Sequence, residues 1–344
     1  MNKTLIALAV SAAAVATGAN AANVYSSEGT ELNIGGRAEF RGDFVGKSNG
    51  EELDGSMSNK SRFRLNVGGT TEITDSLSGF GFYEAEQGVT SSGDGDANDD
   101  FTQRYMFAGL KGDFGAISFG RQDTAAVQIS QMSDVTTFSG AQKTFINAGN
   151  EQINNTILYT GEFVDALTVK ASAVLGEDKN TDGYGISAIY TLPMGVGFGL
   201  GYSANDNGYI GNVKQGSGDA FIAGINYTYE SLYLAGTYTT GDYDDKANVE
   251  FDGVELAAVY GFNNGFSIMG AYQNTEFKDN GTKYTKSDFF EITGDYAFNK
   301  NINAYVSYLI NNADKDDLVP TTKVYSGDFK GDEDTLRLGL KYSF

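Results

Sequence analysis

The chain has 344 residues, with 24 Lys and Arg against 45 Asp and Glu, a net charge of −21, 40% apolar residues and 13% aromatics. It contains neither cysteine nor histidine, which removes disulfides, thiolate nucleophiles, the base of Ser-His catalysis and the usual zinc, iron and copper ligands. No spacing singles out a carboxylate or Ser-Lys pair, so no catalytic residue, cofactor or metal site is expected, and the acidic balance disfavours nucleic acid while attracting cations.

The N-terminus places Lys3 before an apolar run, Leu5 to Val15, and ends it at Ala19-Asn20-Ala21. That order is a secretory signal with a small-residue cleavage box, so residues 1–21 are set aside and the mature chain is expected from Ala22. No later segment approaches the roughly 18 unbroken apolar residues of a membrane-spanning helix. A membrane β-barrel remains, because only every second residue of its strands faces lipid.

From Glu31 onward the chain alternates with a period of two. Leu32, Ile34, Gly36, Ala38 and Phe40 share one face, with Asn33, Arg37, Glu39 and Arg41 on the other. Similar segments are predicted over 59–72, 76–88, 101–112 and 114–122. Eleven more follow at 153–163, 165–177, 182–192, 195–206, 218–230, 231–243, 249–262, 265–278, 286–298, 301–313 and 332–344, making sixteen. Short connections at 74–76, 112–113, 164–165, 193–194, 230–231, 263–264 and 299–300 alternate with long acidic ones at 46–58, 88–100, 176–182, 207–216, 242–248, 279–285 and 314–331. Short turns at one end and long loops at the other define an all-β, 16-stranded antiparallel transmembrane barrel. Forty-five Gly with two Pro suit many turns and unbroken strands.

Aromatic pairs near the short turns (Tyr227 with Tyr229, Tyr260 with Phe262, Tyr296 with Phe298, Tyr342 with Phe344) read as an interfacial girdle. The series Gly195, Gly197, Gly199, Gly201 alternates with Val196, Phe198, Leu200 and Tyr202; it is a strand with one bare face, not a phosphate loop, since no helix follows. One stretch breaks the pattern: 124–150, TAAVQISQMSDVTTFSGAQKTFINAGN. Its length inside a compact domain marks a functional loop, here one expected to fold into the barrel.

The order of Gly35-Gly36-Arg37-Ala38, Ser61-Arg62-Phe63-Arg64-Leu65, Phe107-Ala108-Gly109-Leu110-Lys111, Phe119-Gly120-Arg121 and the terminal Phe344 resembles the general diffusion porins of Gram-negative bacteria, above all the major porin of vibrios. The resemblance covers the whole chain. It implies an outer-membrane homotrimer of 16-stranded barrels among lipid and lipopolysaccharide, each with a water-filled pore for small hydrophilic solutes narrowed by its third external loop, here 124–150. It further implies basic wall positions at Arg37, Arg64, Arg104 and Arg121, with Arg62 on the face of Arg64, opposed by Asp134 on the loop. Glu84 and Glu86 are additional wall acids. Six of the seven arginines occur by residue 121, in keeping with a basic wall built before the loop.

The family's loop glutamate is replaced within Thr136-Thr137-Phe138-Ser139-Gly140, and Gln152 stands where many members carry arginine, so a weakly polarised constriction is expected. The resemblance also makes 88–100, with Asp94, Asp96, Asp99 and Asp100, the loop that latches onto a neighbouring subunit. Cation preference that weakens with salt is the expected selectivity. The alternative is an adhesin or receptor barrel whose acidic loops bind a host molecule or divalent cations.

Overall fold

The structure, a computed structural model, describes residues 21–47, 51–89, 101–164, 166–320 and 333–344. The signal segment through residue 20 and the acids Asp94, Asp96, Asp99 and Asp100 lie outside the described residues. The strands before the long interruption are β1 (Ala22–Ser27), β2 (Thr30–Lys47), β3 (Glu51–Asn59), β4 (Arg62–Thr74), β5 (Leu77–Gly88), β6 (Thr102–Gly112) and β7 (Gly115–Gln122). After it come β8 (Ile153–Phe163), β9 (Leu167–Val174), β10 (Gly183–Thr191) and β11 (Val196–Asp206), then a two-strand loop hairpin, β12 (Tyr209–Ile210) with β13 (Val213–Lys214). The wall resumes with β14 (Ser217–Tyr229), β15 (Leu232–Asp244), β16 (Val249–Gly261), β17 (Phe266–Asp279), β18 (Thr282–Ala297), β19 (Ile302–Asn311) and β20 (Thr335–Ser343).

All wall pairings are antiparallel between neighbours, and the sheet closes on itself through β2. One side of β2 pairs with β3 and then β4, which follow one another as a single stave. The other side pairs with β20 from Val45 to Arg37 and with β1 from Ile34 to Thr30. The end of the chain and residue 22 therefore meet beside Gly35 in one shared stave, and the barrel has sixteen.

Two connections differ from expectation. Residues 46–58 are not a loop throughout, because β3 extends the hairpin with β2. Residues 279–285 are not a long loop either: β17 and β18 are joined by Asn280–Gly281 alone, with φ of 51° and 88°. An Asn-Gly pair adopts the two positive φ values of a tight hairpin turn without strain. The strand β1, ahead of the first expected segment, also joins the wall.

The alternation sets the two faces. Phe40, Phe119, Leu200, Ile225, Leu256, Ile292 and Leu340 stand exposed on the outside, whereas Ser172, Ser187, Asn226, Thr239, Thr275 and Ser307 face inward and are buried. Near the short turns the expected aromatic pairs form, with ring centroids 4.9 Å apart for Tyr260 and Phe262 and 5.1 Å for Tyr296 and Phe298.

Residues 123–152 leave β7 and fold inside the barrel. A short helix α1 (Val127–Ser130) and 3-10 turns at Ala141–Lys143 and Asn147–Gly149 carry this loop along the inner face of the wall from β10 toward β20. Ile129 and Met132 pack against Ile189, Ile222 and Ala235, and Phe145 stacks on Phe251 with centroids 4.2 Å apart. Full burial of Ile129 contributes about 2 kcal/mol. The bare inner face of β11 makes this seat: a Cβ at Gly199 would lie 2.7 Å from Ile129 Cδ1, and one at Gly224 on β14 would lie 2.7 Å from Met132 Sδ.

Gly199→Val should therefore destabilise the folded barrel by about 1–3 kcal/mol through overpacking, measured by urea unfolding in detergent. Gly88→Ala, where no atom lies within 4 Å of the new Cβ, should change it by less than about 0.5 kcal/mol.

Candidate functional site

Inward-facing residues of β2, β4, β5 and β6 form a chain of alternating charge across the wall. Arg104 Nε donates to Glu84 Oε1 at 2.8 Å, and Arg64 Nη1 lies 3.3 Å from the same oxygen. Arg64 Nη2 then reaches Glu86 Oε2 at 2.5 Å, with Arg62 Nη1 3.6 Å away. Arg62 Nε donates to Glu39 Oε2 at 2.7 Å, and Arg37 Nε stands 3.9 Å from that oxygen. Four arginines thus alternate with three glutamates, and both ends of the chain are arginine. Cross-strand register produces this order, since Arg37 faces Arg64, Arg64 faces Glu86 and Asn66 faces Glu84. Glu84 is fully buried, and two guanidinium groups share it.

A second pair continues round the wall. Arg337 on β20 forms a fork to Asp43, Nε to Oδ1 at 2.7 Å and Nη2 to Oδ2 at 2.8 Å, while Nη1 donates to the Thr137 carbonyl oxygen at 2.8 Å. Its guanidinium lies 3.7 Å from the Phe138 ring centroid. Tyr305 Oη, on β19, donates to Glu39 Oε1 at 2.7 Å.

Wall carboxylates hold the loop. Glu291 on β18 accepts from Thr136 Oγ1 (2.5 Å), Thr137 N (3.0 Å), Thr137 Oγ1 (2.9 Å) and Phe138 N (3.0 Å). Glu255 on β16 accepts from Gly140 N at 2.8 Å, and Gln273 accepts from Ala141 N at 3.3 Å. Gly140 has φ of 106°, and a side chain there would collide with the Asp134 carboxylate. This turn lets Lys143 fold back onto Asp134; Lys143 Nζ also lies 3.3 Å from Glu151. Burial opposes the charge on Lys143, but Asp134 and then Glu151 outweigh it and hold the ammonium above the usual lysine range. The stabilisation from this raised value is complete below the usual lysine pKa and lost only as pH climbs through the higher folded one. At the loop's root, burial and then Glu151 push Asp123 up from the usual carboxylate range, and Tyr105 Oη donates to it at 2.9 Å.

The structure thus joins Arg37, Arg62, Arg64, Arg104 and Glu84 in one chain, with Glu86 added. Arg121 does not belong to it. Alternation from the outward Phe119 carries Arg121 to the outer face, opposite the exposed Met106, where its guanidinium donates to Asn154 Oδ1 and to the carbonyl oxygens of Gln103 and Arg104. Asp134 is on the loop as expected, but its partner is Lys143 of the same loop rather than a wall arginine. Sequence reasoning passed over Glu39, Asp43, Arg337, Glu255 and Glu291 as site residues. Their signal is parity, each standing at an inward position of its strand.

A closed antiparallel barrel with an apolar outer band, a polar lumen and a loop folded into that lumen defines a membrane channel of the outer-membrane type. The family model for Gram-negative porins matches residues 7–316, and the chain belongs to that family, which places it in the outer membrane. It is 36% identical to outer membrane protein U of Vibrio vulnificus and 34% identical to porin-like protein L of Photobacterium profundum, over the full length of each pair. Among solved structures it is similar to Salmonella typhi OmpF in complex with daunomycin (TM-score 0.80, 22% identity, 94% of this chain and 100% of that one). It is also similar to the trimer form of OmpT from Vibrio cholerae (TM-score 0.68, 18% identity, 92% and 99%).

Lys143→Gln should release the Asp134 charge and raise the potassium-to-chloride permeability ratio about twofold, read as a reversal potential across a KCl gradient. An unchanged ratio would place the pair off the conduction path.

Proposed function

We propose that this porin is a general-diffusion channel, a homotrimer passing small hydrophilic solutes and ions down their gradients, with a preference for cations. The observation that carries the reading is the course of the 124–150 loop. It lies against the inner face from β10 toward β20 and leaves the arginine-glutamate chain as the opposite wall of the remaining lumen. In this reading the loop sets the size limit, and the side chains on both walls set the local field. Residues 123–152 carry three acids and one lysine, and the whole chain carries a large acidic excess that concentrates cations near its mouth. No chemical step is required, so the protein acts as a passage rather than an enzyme. The trimer form recorded for Vibrio cholerae OmpT supports the assembly proposed here.

Reversal potentials across a planar bilayer test this. The native protein should prefer potassium over chloride, and the preference should fall as salt rises and the Debye length shrinks from about 10 Å at 0.1 M to about 3 Å at 1 M. Arg64→Ala should strengthen the preference and Asp134→Asn weaken it, each by about twofold. Anion preference in the native protein, or indifference to both substitutions, overturns the assignment.

A further inference from the structure

Below the charged chain, toward the short-turn end, the same strands carry an aromatic patch on their inner face. Phe82 lies opposite Gly68 on β4 and Phe107 on β6, while Phe80 lies opposite Thr70 and Gly109. Parity places these rings in the lumen, since Phe80 and Phe82 share the face of Glu84 and Glu86, and the outward residues of β5 are Gly79, Gly81 and Tyr83. The ring centroids are 5.6 Å apart for Phe82 and Phe107, 6.4 Å for Phe80 and Phe107, and 6.3 Å for Phe82 and Tyr105. The rings lie over the bare glycines. A Cβ at Gly109 would meet Phe80 at 2.5 Å, and one at Gly68 would meet Phe82 at 3.2 Å. The three rings are half-buried and leave apolar surface on the lumen side of the wall, which a conducting pore has no need to provide.

The patch adjoins one end of the charged chain. Arg104 stands 5.8 Å from the Tyr105 ring centroid and shares Glu84 with Arg64, so two guanidinium groups meet one buried carboxylate at this end. The side chain of Arg104 keeps 20% of its surface exposed. The chain carries four guanidinium groups against three carboxylates, and its terminal arginine beside an apolar platform is complementary to a solute whose flat ring carries a negative group. We infer that Phe80, Phe82 and Phe107 with Arg104 form a binding subsite on the inner, short-turn side of the constriction for small aromatic anions. The ring of such a solute stacks on Phe82 and Phe107, and its carboxylate or sulfonate meets Arg104.

The inference rests on the lumen being an open pore, and the experiment separates the two. The purified full-length porin is inserted in a planar bilayer, and 2-naphthalenesulfonate is added on the short-turn side while current interruptions are recorded. Absence of any KCl conductance would refute the pore itself. With conductance present, naphthalenesulfonate should bind about tenfold more tightly than methanesulfonate; that difference should fall about fivefold in Phe82→Leu, and Arg104→Gln should weaken the binding of naphthalenesulfonate itself about fivefold. Phe82→Leu keeps an apolar side chain without an aromatic face, and heat-modifiable gel mobility reports that each barrel is folded. Equal binding of the two sulfonates, or unchanged naphthalenesulfonate binding in folded Phe82→Leu, overturns the subsite. So does equally tight binding of naphthylmethyl-trimethylammonium, which would show that the rings act without Arg104.

Discussion

Backbone closure governs this molecule. In hydrocarbon no water is present to pair with a free N–H or C=O, so a sheet that spans lipid has to end on itself. Here the last link is β2, paired on one flank with β3 and β4 and on the other with β20 and β1. Once that ring is shut, every wall side chain must point either to lipid or to the lumen, and a period of two in the sequence becomes a division between apolar and polar environments. The inner positions of β2, β4 and β5 are then free to carry charge at close spacing, because their neighbours across the ladder are charged as well.

The lumen loop is secured by chemistry different from that of the wall. Apolar side chains of α1 and Phe145 fill spaces left by glycines, and two wall carboxylates, Glu291 and Glu255, take up backbone N–H groups of the turn at 136–140 that have no strand partner. A loop buried within a barrel must satisfy its amides somewhere. A carboxyl side chain does this economically, because its two oxygens together can accept several hydrogen bonds. The same turn brings Lys143 over Asp134, so the loop resolves much of its own charge before presenting any to the facing arginines.

The architecture was legible because it is written in alternation, and the sixteen expected segments from Glu31 onward needed only parity and turn residues. The misreadings have physical causes. At 279–285 a run of polar residues looked like a loop, yet Asn280–Gly281 is a two-residue hairpin turn, and strand residues beyond the membrane have no reason to be apolar. Arg121 follows its motif in sequence but sits one face away from Arg104, where the parity of Phe119 already pointed. The partnership of Asp134 with Lys143 depends on a positive φ at Gly140, and Glu291 meets the loop across more than 150 positions of chain. Neither contact has a local signature.

The alternating chain on the wall has an odd number of members, and that parity determines how it can change. Removing Glu84 strips Arg104 of its carboxylate and removing Glu39 strips Arg37 of its own, leaving a guanidinium on the wall uncompensated, a loss for the fold. Removing a terminal arginine leaves every remaining group with a partner and shifts the net charge by one. The middle is therefore held by folding, and a change at Arg37 or Arg104 alters the field in the lumen without dismantling the wall.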